Sequence, residues 1–212
     1  MVRGLSRRWI AERRRDPYHR MAKEQGYRSR AAFKLKQLDR RFGFLDGAKY
    51  VLDIGAAPGG WLQVAAEAVG EGGLVVGVDL EKIANLGLDN VKTFVGDVLE
   101  DGTVERVRGL FPGMVDVVLS DLSPIVSGAW ELDHFRQIEL ARRAMGISER
   151  VLKPEGWFVV KVFQGSEFEA FLRDARRTFD SVKVVKPRAS RKGSAEIYLV
   201  ARGLREPGKP DE

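Results

Sequence analysis

Apolar and polar positions along the chain fall into short strand-like runs that are separated by longer stretches with helical spacing. Seven runs are short and rich in β-branched residues, as is typical of strands. In chain order they read KYVLDIG, GLVVGVDL, VKTFVGD, VDVVLSD, EGWFVVKVFQG, SVKVVK and AEIYLVA. Strands alternate with helices until the last two runs, which are close enough to form a hairpin.

The predicted helices carry apolar residues at intervals of three and four. The first convincing helix begins near Ser29. A long helix is predicted from Glu131 to Leu152, and its apolar side carries Phe135, Ile138, Met145 and Leu152. Before the last helix, Ser166 and Glu169 have the S-x-x-E spacing of a capping box.

This alternation predicts an α/β fold of the Rossmann-like kind. It consists of a mostly parallel seven-stranded sheet, with one antiparallel strand at its end and helices on both faces. The chain of 212 residues is long enough for one well-packed domain. We expect a basic N-terminal arm at residues 1–28, the α/β domain at 29–203 and a short tail at 204–212.

Composition narrows the chemistry. The chain has no cysteine and two histidines, which excludes thiolate nucleophiles and disulfides and argues against a histidine-based metal centre. No apolar run reaches the roughly 18 residues of a membrane-spanning helix, and the sequence does not show the charged start, apolar segment and cleavage site by which a signal peptide is predicted. We therefore expect a cytoplasmic, monomeric protein without a metal site.

The net charge of +6 is concentrated at the two ends of the chain. Residues 1–34 carry 11 Lys and Arg against 3 Asp and Glu. A charged run is often only a solvated face. Here, however, Trp9, Tyr18 and Tyr27 stand among the arginines, which combines phosphate contacts with stacking surfaces. The arm, together with the basic loop at 186–192, is therefore predicted to bind nucleic acid.

A glycine-rich turn follows the first strand. In VLDIGAAPGGW, Asp53 precedes Gly55 by two residues, and Gly59, Gly60 and Trp61 open the next helix. Glycine permits a sharp turn and the close approach of a ligand. The spacing differs from the G-x-G-x-x-G of dinucleotide enzymes and is the pattern of S-adenosylmethionine sites. A tight turn in an unrelated α/β protein is the alternative.

Two more acidic residues lie at strand ends. Asp79 ends VVGVDL, where a carboxylate can accept hydrogen bonds from both hydroxyls of a ribose. Asp97, in FVGDV, is placed to accept from an adenine amino group. Either alone is an ordinary turn residue, but three acids in register favour S-adenosylmethionine, with Asp53, Gly55, Gly59, Trp61, Asp79 and Asp97 as its binding residues.

The fourth strand ends in SDLSP, which contains Asp121. Enzymes that methylate base amino groups carry Asn or Asp followed by two prolines and an aromatic residue. Here the aromatic residue and one proline are missing. Enzymes that methylate a pyrimidine carbon use a cysteine nucleophile, which this chain lacks. A hydroxyl group is therefore the favoured acceptor.

Lys161 interrupts the otherwise apolar strand FVVKVFQG. Burial of an ammonium is costly unless a partner compensates it, so the side chain either reaches water or is held in place for a function. Asp121 and Lys161 lie at the carboxyl ends of two strands that are expected to be neighbours. Ligands bind at that edge in α/β sheets, and we expect the two charges to meet there beside the methyl donor.

The chain resembles the FtsJ/RrmJ (RlmE) family of ribose 2′-O-methyltransferases over nearly everything after residue 25. The segments that carry the resemblance are GYRSRAAFKL, DIGAAPGGW, DLSP, VVKVFQG and SRKGSAEIYLV. That family is similar to viral cap methyltransferases in having a Lys-Asp-Lys-Glu tetrad, and the matching positions are Lys34, Asp121, Lys161 and Glu196.

The resemblance implies a role for each member of the tetrad. Lys161 is the base or the group that orients the hydroxyl, and Asp121 positions Lys161 and contacts the cofactor. Lys34 and Glu196 complete the network and hold the ribose. Taken singly, each residue has an ordinary alternative. Lys34 is then a helix-flank lysine, Asp121 a turn aspartate and Glu196 an edge-strand glutamate, while Lys161 is a side chain that reaches water.

The resemblance also implies a substrate, which is a uridine ribose in large-subunit (23S-type) ribosomal RNA, free or in the ribosomal subunit. Related enzymes methylate anticodon-loop riboses of tRNA, and the tetrad does not separate the two. A non-catalytic RNA-binding protein would be expected to have lost tetrad residues. A nicotinamide-dependent oxidoreductase predicts Tyr-x-x-x-Lys, which none of the four tyrosines provides.

Overall fold

A computed structural model describes residues 16–205, which leaves residues 1–15 and 206–212 outside the description. Within the described part, seven strands form one sheet and six helices pack on it. The strands are β1 (Tyr50–Ile54), β2 (Leu74–Asp79), β3 (Val91–Val95), β4 (Val115–Ser120), β5 (Leu152–Phe163), β6 (Phe179–Val185) and β7 (Glu196–Leu204). The helices are α1 (Pro17–Glu24), α2 (Ala32–Phe42), α3 (Gly60–Val69), α4 (Asp101–Leu110), α5 (Trp130–Val151) and α6 (Phe168–Thr178). No helix in residues 16–205 is both long and apolar enough to cross a membrane.

The predicted fold class is confirmed. The strand order is β3-β2-β1-β4-β5-β7-β6, and neighbours from β3 to β5 are parallel. Strand β7 is antiparallel to both of its neighbours, β5 and β6, and so lies one place in from the sheet edge that β6 occupies. The chain order reverses between β1 and β4, and ligands bind beside such a reversal at the carboxyl edge.

The central strands of the sheet are buried on both faces. Successive residues of a strand point to opposite sides, so each of these strands contributes to two cores. Val51 and Val159 belong to a core shared with helices α1, α2 and α3. Their neighbours Leu52 and Val160 belong to the core shared with α4, α5 and α6. By the same alternation, Lys161 points to the face that carries α2.

Part of the predicted arm is helical. Helix α1 begins after Asp16, whose Oδ1 accepts a hydrogen bond from the backbone N–H of Tyr18 at 3.0 Å, an N-cap arrangement. Tyr18 and Tyr27 both pack on Phe33 of α2, with ring centroids 5.8 Å apart in each pair. These two aromatic residues therefore hold the arm's end on the domain. The arm before Asp16, with Trp9, lies outside the described residues.

The predicted core side of α5 is wrong at Phe135, which is 53% exposed. The other predicted residues of this side, Ile138, Met145 and Leu152, are buried. Near the start of α5 the buried positions are His134 and Gln137, whose polar side chains make hydrogen bonds at the sheet edge. The predicted stripe is therefore correct along the helix and fails only at its start, where polar residues are buried.

The predicted capping box before α6 is also wrong. No side chain caps this helix, and the N-cap position is Glu167 rather than Ser166. The backbone N–H of Glu167 donates to Nε2 of His134 at 3.0 Å. The acceptor at the start of α6 is thus the imidazole of His134 on α5, and not the Ser166 and Glu169 side chains that the spacing predicted.

We expect Ile138→Ala to lower the free energy of unfolding by about 2–5 kcal/mol, because it empties a buried site that cannot fully collapse. The matched change on the same helix, Phe135→Ala, should cost less than about 0.5 kcal/mol, since that ring is exposed. Urea unfolding followed by circular dichroism measures both. Equal losses would contradict this orientation of α5.

Candidate active site

Lys161 is the centre of a buried polar cluster at the carboxyl edge of the sheet. Its side chain is 5% exposed, and its Nζ lies 3.2 Å from Oδ1 of Asp121. Nζ also donates to the backbone oxygen of Asp121 at 2.7 Å and to Oγ of Ser123. An ammonium has three hydrogens, and these three oxygens can accept them all. The buried charge is therefore compensated by partners and does not reach water.

The register of three strands produces this contact. Ser120 of β4 pairs with Val160 of β5, so Asp121 and Lys161 are the next residues along two parallel neighbours. Across the antiparallel ladder, Lys161 lies opposite Tyr198 of β7. Three polar side chains thus meet in one row at the point where β4 ends.

Tyr198 is a residue that sequence reasoning missed. It is fully buried, and its hydroxyl donates to Oδ1 of Asp121 at 2.9 Å. Burial raises the pKa of Tyr198 well above its ordinary value, and the charges of Asp121 and Glu196 raise it further. The phenol therefore remains a donor at neutral pH. The strand register that sets it opposite Lys161 is the signal that would have identified it.

The carboxylate of Asp121 favours its ionised form although its surroundings are largely buried. Burial raises its pKa, but the charges of Lys161 and Lys34, with hydrogen bonds from Tyr198 and Lys161, outweigh burial and hold the pKa of Asp121 below its ordinary value. The carboxylate is thus stabilised from several sides by groups of the chain itself.

Lys34 and Glu196 form a second ion pair beside the first. Nζ of Lys34 lies 2.7 Å from Oε1 and 2.9 Å from Oε2 of Glu196, and both side chains are largely buried. Oγ of Ser190 donates to Oε1 at 2.8 Å. Nζ of Lys34 is also 5.8 Å from the ring centroid of Tyr198, which links the two pairs. The structure therefore brings all four residues of the tetrad together.

A basic cavity of about 220 Å³ adjoins the second pair. Its lining residues are Arg30, Lys34, Arg191, Ser194 and Glu196. Burial, followed by the neighbouring charge of Arg191, lowers the pKa of Arg30. Asp16 and the carbonyl of Ala189 hold the Arg30 guanidinium in place. With Arg30 and Arg191 both lining it, the cavity favours an anion.

The predicted 186–192 loop is anchored at its middle. Ala189 is buried, and its N–H donates to Oε1 of Gln37 on α2 at 3.0 Å. Around this anchor, Arg188, Arg191 and Lys192 are exposed. The loop therefore presents cations from a fixed base beside the tetrad.

Asp53 lies near the carboxyl end of β1 and is fully buried. Neither of its carboxylate oxygens has a hydrogen-bond partner within residues 16–205. Burial raises the pKa of Asp53 well above its ordinary value, and the charges of Asp121 and Asp79 raise it further. A buried carboxyl without partners is a costly group, and a cationic or donor group of a ligand would satisfy it.

The turn after β1 requires glycine. Gly55 has a φ of 77° and Gly59 a φ of 109°, which side chains other than glycine rarely adopt. A Cβ on Gly55 would lie 2.9–3.1 Å from Leu122, and one on Gly60 would collide with Ser29. The turn is therefore packed directly against the residue that follows Asp121.

Arg28 is a second residue that sequence reasoning missed. Its Nη1 donates to the carbonyls of Ala84 at 2.6 Å and Pro58 at 3.2 Å. Its Nη2 donates to the carbonyl of Asn85 at 2.6 Å. The guanidinium thus fastens the glycine turn to the loop after β2, although no motif of the sequence marks it.

Asp79 and Asp97 organise the ends of β2 and β3. Asp79 accepts from the backbone N–H groups of Ala57 at 2.9 Å and Glu81 at 2.8 Å. Asp97 accepts from the N–H of Leu99 at 2.9 Å. Because each carboxylate oxygen has two lone pairs, both groups keep capacity for a ligand.

Trp61 occupies a supporting position. It is buried, its Nε1 donates to the carbonyl of Ala31 at 2.8 Å, and its ring centroid is 5.8 Å from that of Tyr198. The indole thereby joins the start of α2 to the tyrosine of the polar cluster.

The fold and the family comparison place the chain among the methyltransferases. The family model described as FtsJ-like methyltransferase matches residues 27–204, and the chain belongs to that family. The predicted family and its methyltransferase activity are thereby confirmed.

Individual relatives are similar along most of the chain. A protein of Methanothrix thermoacetophila called ribosomal RNA large subunit methyltransferase E is 48% identical over 92% of this chain and 75% of its own. The protein of the same name from Methanocaldococcus jannaschii is 44% identical over 92% of this chain and 81% of its own. A solved Plasmodium falciparum structure, described as a ribosomal RNA methyltransferase, superposes with a TM-score of 0.74 at 28% identity, covering 84% of this chain and 98% of that one.

We expect Asp53→Asn to flatten the pH dependence of stability of the ligand-free protein. Folding raises the pKa of Asp53. The contribution of this group to the free energy of unfolding is therefore fully present below its unfolded pKa of about 3.9, and it is lost as the pH rises through the pKa of the folded state. Asparagine does not ionise, so the variant lacks that loss. Thermal unfolding between about pH 4 and pH 9 measures it.

The matched control is Asp89→Asn, since Asp89 is exposed and its removal should leave the profile unchanged. A profile for Asp53→Asn that coincides with that of the unmodified protein would contradict the buried, unpartnered state of Asp53.

Proposed function

We propose that the protein is an S-adenosylmethionine-dependent ribose 2′-O-methyltransferase that modifies a uridine in large-subunit ribosomal RNA. The observation that carries this proposal is the pairing of the tetrad, in which two lysine–carboxylate pairs meet beside the glycine turn. Family membership supports methyl transfer, and the names of the relatives support ribosomal RNA as the substrate class.

The residues along the carboxyl edge fit the proposed cofactor. When bound, S-adenosylmethionine supplies a methyl group that its sulfonium charge has already activated. Asp53, whose carboxyl has no partner within residues 16–205, would receive the cofactor's ammonium end together with the Gly55–Gly59 turn. Asp79 would accept from the ribose hydroxyls and Asp97 from the adenine amino group, using their remaining lone pairs.

Lys161 is best suited to orient the 2′-hydroxyl. A ribose hydroxyl is a weak acid and a poor nucleophile, so the site must align it and handle one proton. With three oxygens around Nζ, the lysine is arranged as a hydrogen-bond donor. In the complex, the reacting oxygen would replace Oγ of Ser123 as one acceptor of Nζ, and this donor would hold the oxygen and stabilise charge that develops on it. The proton of the hydroxyl would leave to solvent water as the oxygen is methylated. Asp121 and Tyr198 act through Lys161 by fixing its position.

Lys34 and Glu196 complete the substrate side. Glu196 accepts from Lys34 and from Ser190, which keeps its carboxylate fixed at the start of β7. The adjoining basic cavity suits a phosphate next to the target ribose. The exposed cations of the 186–192 loop would contact further phosphates, as would the basic residues that the sequence places in the N-terminal arm.

Labelled S-adenosylmethionine tests the proposal when it is incubated separately with ribosomal subunits, naked ribosomal RNA and tRNA. We expect label on a 2′-oxygen of large-subunit ribosomal RNA. In the same assay, Lys161→Ala should lower kcat by about 100-fold or more, because the reacting oxygen loses its orienting group.

Lys153→Ala is the matched control, since Lys153 lies in the same strand and pairs with Asp116 at 2.5 Å, away from the tetrad. It should retain full activity. Label on a base, or label on tRNA alone, would contradict the proposal, and full activity of Lys161→Ala would remove the role given to that lysine.

We expect Arg188→Gln, Arg191→Gln and Lys192→Gln together to weaken RNA binding and to reduce its salt dependence. For each phosphate that the triple variant no longer neutralises, the slope of log affinity against log salt should become shallower by about 0.7–0.9. Fluorescence anisotropy across a salt series measures this.

The control neutralises three exposed cations near the opposite sheet edge, through Lys92→Gln, Arg106→Gln and Arg108→Gln. Equal changes in slope for the two triple variants would show an unspecific effect of net charge and would contradict a role for the loop.

A further inference from the structure

Trp130, the first residue of α5, is 45% exposed although it is a large apolar side chain. Its ring lies nearly parallel to that of Phe163, with centroids 5.9 Å apart and an interplanar angle of 19°. His134 stacks on it with centroids 5.9 Å apart and an angle of 20°. The indole is therefore held in a fixed orientation while much of it remains open to solvent.

The aromatic group of Trp130, Phe163 and His134 lies near Lys161. Phe163 is two residues beyond Lys161 in β5, a separation of about 7 Å along a strand. Gln137 of α5 ties the two elements together. Its Nε2 donates to the carbonyl of Lys161 at 2.6 Å, and its Oε1 accepts from the N–H of Phe163 at 2.9 Å. The position of Trp130 is thus fixed relative to the reacting edge.

The loop that connects Ser123 to Trp130 is also apolar at its surface. Ile125 is 91% exposed and Val126 is 71% exposed. The loop is anchored just after them, because the buried carboxylate of Asp133 accepts from the N–H and Oγ of Ser127 at 2.8 and 2.7 Å. Exposed apolar side chains on an anchored loop next to a functional site indicate a contact surface.

We propose that Trp130, backed by Phe163, is a stacking platform for a nucleobase of the substrate RNA close to the methylated nucleotide. This inference rests on the proposed RNA substrate. Unpaired bases are commonly bound by stacking on aromatic side chains. Arg30 and Arg191 suit the phosphates of the RNA, but they do not provide a surface on which a nucleobase can stack. The exposed indole of Trp130 provides that surface. Ile125 and Val126 extend the apolar surface beside it.

The test compares Trp130→Ala, Trp130→Phe and the unmodified protein on a short RNA that contains the mapped target ribose. A second set of RNAs replaces one base at a time around that ribose by an abasic site. We expect Trp130→Ala to raise the KM for RNA by about 10-fold, since the loss of one base–aromatic stack weakens binding to about that extent. The kcat at saturating RNA and the affinity for S-adenosylmethionine should not change, and Trp130→Phe should retain most of the affinity.

Coupling between protein and RNA gives the decisive readout. One abasic position should raise the KM of the unmodified protein to a similar extent and have no further effect on Trp130→Ala. Phe135→Ala, an exposed aromatic of the same helix, is the control and should leave the KM unchanged. The abasic series with the unmodified protein keeps the test valid if a variant folds poorly.

Undiminished abasic effects in Trp130→Ala, or an equal KM increase in Phe135→Ala, would overturn the stacking platform and leave the proposed methyl transfer standing. Failure of the unmodified protein to methylate any RNA ribose would instead overturn the proposed function, and this inference with it.

Discussion

The ammonium of Lys161 and the three oxygens around it form the interaction on which the arrangement of the carboxyl edge depends. All three oxygens belong to the short segment from Asp121 to Ser123, directly after β4. A slip of one residue in β5 would turn the lysine to the other face, where it would enter the apolar core beneath α4, α5 and α6. An unpaired charge there would cost several kcal/mol. The polar cluster therefore specifies the register of the central strands.

Asp121 and Asp53 lie on the same edge but are in opposite electrostatic situations. The chain surrounds Asp121 with cations and donors, which lower its pKa. Asp53 receives no donor from residues 16–205. Burial, followed by repulsion from Asp121 and Asp79, raises its pKa. The tetrad is therefore held together by groups of the chain itself, whereas the proposed cofactor side has a buried carboxyl that no group in residues 16–205 satisfies. Binding of a cation at Asp53 would relieve a cost already present in the fold.

The sequence predicted those features that depend on local pattern. Short runs rich in β-branched residues located the strands, and the segments that carry the family resemblance located Lys34, Asp121, Lys161 and Glu196. Features that depend on contacts between distant segments were missed, such as Tyr198, which requires the β5–β7 register. Phe135 was misplaced because polar residues fill the buried stripe of α5 near the site. Patterns of hydrophobicity fail there, since the helix start serves hydrogen bonding rather than core packing.

The placement of the central lysine on a strand follows from what has to converge on it. Cations reach it from α2 and the loop before β7, on one face of the sheet. Helix α5 packs on the other face, and its Gln137 donates to the carbonyl of Lys161. The sheet edge is the element that both faces share, and a strand holds a functional side chain more precisely than a loop does. A lysine on a helix would move with one face alone, whereas one at the end of β5 keeps a constant relation to both.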